Sequence, residues 1–102
     1  MPKAYALFQN NLQEGEKFGR YVGAAIGTII PHGGQVLVAA EAYDSREGSI
    51  PTRRTAILEF PSREAAVGWY ESPEYQAIVH LRHESTSEGS CQILDGFVLP
   101  SA

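Results

Sequence analysis

Glu59 stands in an otherwise apolar run, Ala56-Ile57-Leu58-Glu59-Phe60, and a carboxylate there must face water, pair with a cation or take up a proton. Arg54 and Arg82 are the cations best placed to meet it. With a shifted pKa, Glu59 would serve as a general base; paired with an arginine it would fix the fold or an interface instead. Tyr75 and Arg82 are seven residues apart, two helical turns along one face, so both can look into a single cleft. An arginine there suits the carboxylate or phosphate of a small ligand. Tyr21, Trp69 and Tyr70 can wall that cleft with aromatic surface and a few oriented polar atoms, although their spacing is equally that of ordinary core. His32, next to Gly33, belongs to a turn that is either plain punctuation or the border of a cleft. The ligand-binding candidates are therefore Tyr21, His32, Arg54, Glu59, Trp69, Tyr75 and Arg82, with Glu59 the candidate for catalysis.

Other reactive side chains fit no catalytic constellation. His80 and His83 share a helix face beside Glu84, but the zinc-protease arrangement of two histidines four apart around a glutamate is missing. They read as polar residues on the wet end of a helix, where a cation favours the dipole. Ser62, Ser72 and Thr55 have no triad context. Gly15, Gly19, Gly23 and Gly27 recur every four residues without the strand-to-turn setting of a dinucleotide loop, which suggests a close backbone neighbour along that line. Cys91 cannot form an internal disulfide or a multi-cysteine metal site and is expected in a buried strand. No metal and no cofactor is expected.

Composition sets the frame for these side chains. A chain of 102 residues is expected to be one domain, 1–102, hiding roughly 65% of the surface its unfolded form would expose. With 43% hydrophobic and 20% charged residues, disorder is not indicated, and no apolar run approaches the roughly 20 residues of a membrane span. The net charge of −4 and the scattered Lys and Arg argue against nucleic acid as a partner. The opening Met1-Pro2-Lys3-Ala4-Tyr5-Ala6-Leu7-Phe8 alternates like a strand and lacks the apolar region and cleavage site of a signal peptide, so a cytoplasmic location is expected.

The elements that must position the candidates follow from periodicity. Lys3 to Gln9 alternates as a strand, with Asn10-Asn11 as a turn. Phe18, Tyr21, Val22, Ala25, Ile26 and Ile29 form a helical stripe, closed by Pro31-His32-Gly33-Gly34. Gln35 to Ala40 is apolar at both parities, a strand covered on both faces. Tyr43 to Pro51 is a polar loop, and Arg54 to Phe60 a third strand with Leu58 and Phe60 on one face and Ile57 and Glu59 on the other. Pro61 stops that strand and Ser62 caps a helix carrying Ala65, Ala66, Trp69 and Tyr70. Ser72-Pro73 then starts a further helix through Tyr75, Ile78, Val79 and Arg82. A polar loop from Ser85 to Ser90 precedes a last strand, Cys91 to Leu99.

The order β-α-β-β-α-β predicts an α+β, ferredoxin-like fold: a four-stranded antiparallel sheet with both helices on one face. The other face cannot be polar, because the second and fourth strands offer apolar residues at both parities. An apolar patch of that size marks an interface, so two sheets are expected to pack face to face in a homodimer.

The residues that carry this architecture also carry a resemblance. Gly33-Gly34, Pro51 to Arg54, Glu59-Phe60-Pro61-Ser62, Trp69-Tyr70, Ser72-Pro73-Glu74-Tyr75-Gln76 and Leu81-Arg82 resemble the domain of unknown function 1330, a family of the dimeric α/β-barrel superfamily, from about Tyr5 to Phe97. The resemblance implies a ferredoxin-like subunit and a homodimer whose sheets close into a barrel, without a settled activity. Relatives in the wider superfamily include cofactor-free monooxygenases, isomerases, haem-degrading enzymes and ligand-sensing domains. Two functions are therefore expected to compete: a small-molecule-binding homodimer, or a cofactor-independent monooxygenase or isomerase acting on a small aromatic or keto acid. Ala39-Ala40-Glu41-Ala42 departs from the family, whose members often have an arginine and paired glycines there.

Overall fold

Alternation at the start of the chain produces β1 (Ala4–Leu12), which turns Ala4, Ala6, Phe8 and Asn10 into the core and leaves the intervening residues half-exposed. The computed structural model describes residues 2–100. Helix α1 (Gly15–Ile29) buries the stripe Phe18, Tyr21, Ala25 and Ile29. It ends in a single 3₁₀ turn, Ile30–His32, because Pro31 cannot extend the ladder and Gly33 takes φ 77°, a left-handed conformation that costs glycine little. At the adjacent Gly34, a Cβ would lie 2.6 Å from the side chains of both Ile29 and Phe60, so the turn is pressed onto the core.

Strand β2 (Gln35–Ala40) leads through a loop into β3 (Arg54–Phe60). Ser62 Oγ accepts from the Ala65 amide at 3.1 Å and opens α2 (Arg63–Glu71). Ser72 Oγ does the same for Tyr75 at 3.2 Å and opens the short α3 (Pro73–Gln76), with Pro73 where its missing N–H costs nothing. Helix α4 (Val79–Ser85) and β4 (Thr86–Asp95) complete the described elements. The strands lie in the order β2-β3-β1-β4 and all pair antiparallel, which is the ferredoxin-like α+β arrangement.

Several boundaries differ from the sequence reading, each for a physical reason. Asn10-Asn11 is strand rather than turn: β1 runs on to Leu12 because Asn10 finds a buried partner. The expected single helix through Tyr75 and Arg82 is interrupted at Ala77–Ile78, where the Ile78 amide bonds the Tyr75 carbonyl in a tight turn at 3.0 Å. The polar segment after Ser85 is not a loop but the first half of β4, and that strand ends at Asp95 rather than Leu99, its ladder with β1 closing at the Ala4–Asp95 pair and a last bond from the Gly96 amide to the Lys3 carbonyl at 2.7 Å. The line Gly15, Gly19, Gly23, Gly27 is open: beyond the helix's own backbone, a Cβ at any of them would meet none of the described residues within 4 Å. Strand β2 is exposed at every position, because as an edge strand it lies beyond what the helices of its own chain cover.

Two β-bulges interrupt the ladders. Val36 pairs with Leu58 and Val38 with Ile57, so Leu37 is the extra residue in β2. In the β1–β4 ladder Gln9 pairs with Ser90 and Asn11 with Ser87, so Glu88 and Gly89 together face Asn10. Glu88 adopts φ 52°, the left-handed conformation that non-glycine residues seldom hold.

Candidate functional site

The antiparallel register builds one end of the site. Phe8 pairs with Ala56 and with Cys91, and Asn10 pairs with Arg54, so all of these side chains rise on the helix-covered face. Across from them, α1 contributes Phe18, Tyr21, Val22, Ala25, Ile26 and Ile29. Between helix and sheet lies a cavity of about 190 Å³. Trp69 and Arg82 reach it from α2 and α4, and Val36 and Ala39 from β2. Ile26 and Val36 are exposed, whereas Phe8, Asn10, Trp69 and Arg82 are buried, so the cavity has an apolar mouth and a polar inner end.

Arg82 dominates that inner end. Its residue is only 4% exposed. The guanidinium lies 5.1 Å from the centroid of the Phe8 ring, and Nη1 donates to Asn10 Oδ1 at 3.0 Å. Nη2 donates to His83 Nε2 at 3.3 Å, and burial together with the Arg82 charge pulls the His83 pKa down, keeping the imidazole a neutral acceptor. Every partner is uncharged, and Nε has no acceptor among the described residues. Gly89 makes the arrangement possible: a Cβ there would sit 2.6 Å from Asn10 Oδ1 and 3.3 Å from Arg82 Nη1. The bulge thus places a glycine where any side chain would press on the Asn10–Arg82 bond. The second cation, Arg54, is half-buried with its guanidinium 4.9 Å from the Phe18 ring centroid.

The aromatic wall is rigid and internally satisfied. Trp69, fully buried, packs at 4.2 Å from Tyr75, 5.4 Å from Phe60 and 6.0 Å from Phe8 between ring centroids. Its Nε1 donates to Thr28 Oγ1 at 2.9 Å, and that hydroxyl donates to the Ala25 carbonyl at 2.7 Å. The Tyr21 and Tyr75 hydroxyls share a hydrogen bond of 2.7 Å. Burial pushes both phenol pKa values up, so each remains protonated across the physiological range. Burial likewise raises the Cys91 thiol to about 11, which leaves it a weak nucleophile.

Of the side chains singled out from the sequence, Tyr21, Arg54, Trp69 and Arg82 line the cavity, and Tyr75 stands directly behind it. Two do not belong. Glu59 points to the opposite face of the sheet, because its neighbours Leu58 and Phe60 are the ones turned inward. Neither Arg54 nor Arg82 reaches it; Gln35 Nε2 donates to its Oε1 at 2.9 Å, the Tyr5 hydroxyl to Oε2 at 3.1 Å, and Lys3 Nζ stands 3.4 Å away. The Gln35 bond, followed by those of Tyr5 and Lys3, lowers the Glu59 pKa, the reverse of what a general base at neutral pH requires. His32 is half-buried in its 3₁₀ turn and borders a separate surface cleft with Glu71 and Glu74. The sequence reading missed Asn10 and Phe8; their signal was parity, since both continue the inward series begun by Ala4 and Ala6.

Comparison with known proteins places this geometry in context. A protein of unknown function from Rhodopseudomonas palustris superposes with a TM-score of 0.77 at 17% identity, over 96% of this chain and 85% of that one. A dimeric ferredoxin-like protein of unknown function from Jannaschia superposes with a TM-score of 0.66 at 16% identity, over 94% and 99%. A Caulobacter crescentus protein, named as a candidate antibiotic biosynthesis monooxygenase, gives 0.65 at 12% identity, over 95% and 92%. At these identities the likeness is one of fold. No functionally curated protein matches the chain. Residues 3–97 match the model of the family described as Domain of unknown function (DUF1330), and the chain belongs to that family.

Proposed function

We propose that the chain works as a homodimer, joined through the open sheet faces, in which each subunit binds a small organic molecule in the cavity beneath α1. The observation that carries the binding half is the cavity itself: about 190 Å³, walled by apolar side chains and Trp69, with its polar groups gathered at one end. A well-packed domain seldom leaves such a space empty by default. The dimer half rests on the uncovered face, where Leu37, Val38, Ile57, Leu94 and Phe97 form a shallow apolar depression. Phe97 is 84% exposed and Leu94 49% in the isolated chain, a surface that a second copy would remove from water. Structural neighbours described as dimeric ferredoxin-like proteins support the same assembly.

A second reading, catalysis on a bound aromatic or keto acid, draws on the name of the Caulobacter neighbour. It would need a group able to take a proton in the cavity, and among the described residues the lining offers no carboxylate or imidazole, and its phenol is held protonated. Binding is therefore the reading favoured.

Titration with neutral and anionic aromatic probes, followed by Trp69 fluorescence and by thermal denaturation, tests the cavity. Saturable binding that raises Tm with probe concentration is expected. Absence of saturable binding across both probe classes would refute the binding role. Light scattering at micromolar concentration should return the mass of two chains, and the mass of one would refute the dimer.

A further inference from the structure

We infer that the cavity is built for an organic monoanion, an aromatic carboxylate of about eight to ten non-hydrogen atoms, whose charge is held by the Arg82 guanidinium at the inner end. This rests on the binding role proposed above and specifies its ligand. The size follows from volume: an apolar cavity of about 150 Å³ accommodates benzene, with its six carbons, so about 190 Å³ admits a ring carrying a small substituent.

The charge follows from what surrounds Arg82. A buried guanidinium ordinarily meets a carboxylate, because neutral acceptors do not repay the loss of its hydration. Here the partners are an amide oxygen, a neutral imidazole and the face of Phe8. The ion pairs among the described residues involve Lys3, Lys17 and Arg63; none involves Arg82 or Arg54. Among the described residues the cavity thus holds a buried cation, a second half-buried one and no anion. The Nε–H of Arg82 is enclosed without an acceptor among the described residues, so the hydrogen bonds inside the chain fall short of what a buried guanidinium normally has.

A carboxylate supplies the missing charge. Each Nη of the guanidinium carries two N–H groups, and the ones not given to Asn10 and His83 are the donors left for its oxygens. A phosphate group is a poorer occupant, because its larger charge would be set in a lining that is mostly apolar. Asn10, braced by the Gly89 bulge, is a positioning residue: it holds Nη1 and so sets the direction of the remaining donors.

The decisive experiment compares benzoate with benzamide, its neutral counterpart of the same size and shape, by calorimetry on the intact protein and on Arg82→Met. Benzoate should bind the wild-type protein about 10- to 100-fold more tightly, the difference expected of a charge-assisted hydrogen bond in a buried site. Arg82→Met should erase that preference while retaining benzamide binding, and Arg82→Lys should restore part of it. Equal binding of the two probes, or a preference for benzamide, would overturn the inference and leave the cavity's binding role intact. Binding of neither would overturn the binding role and this inference with it. If Arg82→Met does not fold, the wild-type comparison alone still decides the charge preference, and Arg54→Met, which should lower it less, tests the assignment: complete loss of preference in Arg54→Met would move the anion to Arg54.

Discussion

On each side of the sheet a charged residue stands among apolar neighbours, Glu59 on one and Arg82 on the other, and the two are treated differently. On the open face, Glu59 receives hydrogen bonds from Gln35 and Tyr5 and an ion pair from Lys3, so its charge is compensated within the chain. On the helix-covered face, Arg82 is far more deeply buried and has only neutral partners. A compensated charge on an uncovered surface has its partners already; an uncompensated charge beside a cavity does not. The contrast teaches that the position of a titratable group in the sequence says less about its role than the balance of charge around it.

Three perturbations would break or sharpen this contrast. The largest is Trp69→Ala, which removes the fully buried ring at the centre of the covered face and should lower stability by about 3–5 kcal/mol, as measured by urea denaturation. Loss of less than about 1 kcal/mol would show that the cavity wall is not part of the core. Next is Leu94→Asp on the open face, which should leave secondary structure intact by circular dichroism but weaken self-association by about 100-fold, since two-fold symmetry counts the change twice. An unchanged mass by sedimentation would place the subunit contact elsewhere.

The smallest effect is a pH dependence. Because the folded-state pKa of Glu59 lies below its ordinary value of 4.5, its contribution to stability is complete above that pH and is lost as the pH falls through the lower folded value. Denaturation midpoints followed from pH 6 to pH 3 should therefore decline less steeply for Glu59→Gln than for the parent protein, while the probe affinity of the cavity at pH 7 stays the same. Parallel pH profiles would mean that the Lys3–Tyr5–Gln35 network contributes nothing to stability.

Much of this was legible in the residues. The order of elements, the caps at Ser62 and Ser72 and the stop at Pro31 follow from local chemistry and appear where expected. So does the gathering of Tyr21, Trp69 and Arg82, because helical periodicity reports which side chains turn toward the sheet. What was hidden depended on long-range pairing. Asn10 looked like a turn residue, and only a guanidinium arriving from a position 72 residues later makes it a buried strand residue. The polar start of β4 concealed its alternation because the bulge at Glu88–Gly89 shifts the phase of the strand. For Glu59, alternation correctly set it opposite Leu58 and Phe60, but its partners come from β1, β2 and the N-terminal segment rather than from a nearby arginine.

The bulges bear on a matter beyond the binding site. Both edge strands, β2 and β4, are interrupted, the former at Leu37 and the latter at Glu88–Gly89. Strand β2 is otherwise a poor sentinel, uncharged from Gln35 to Ala40 and rich in residues that favour cross-β stacking. A kinked edge is a bad template for adding a further strand, so growth of the sheet sideways into a polymer is obstructed on both flanks. Contact through the broad face stays available and is self-limiting, since two faces that meet leave none uncovered. The same irregularity of β4 that shapes the pocket, with its counterpart in β2, thereby stands against growth into a fibre.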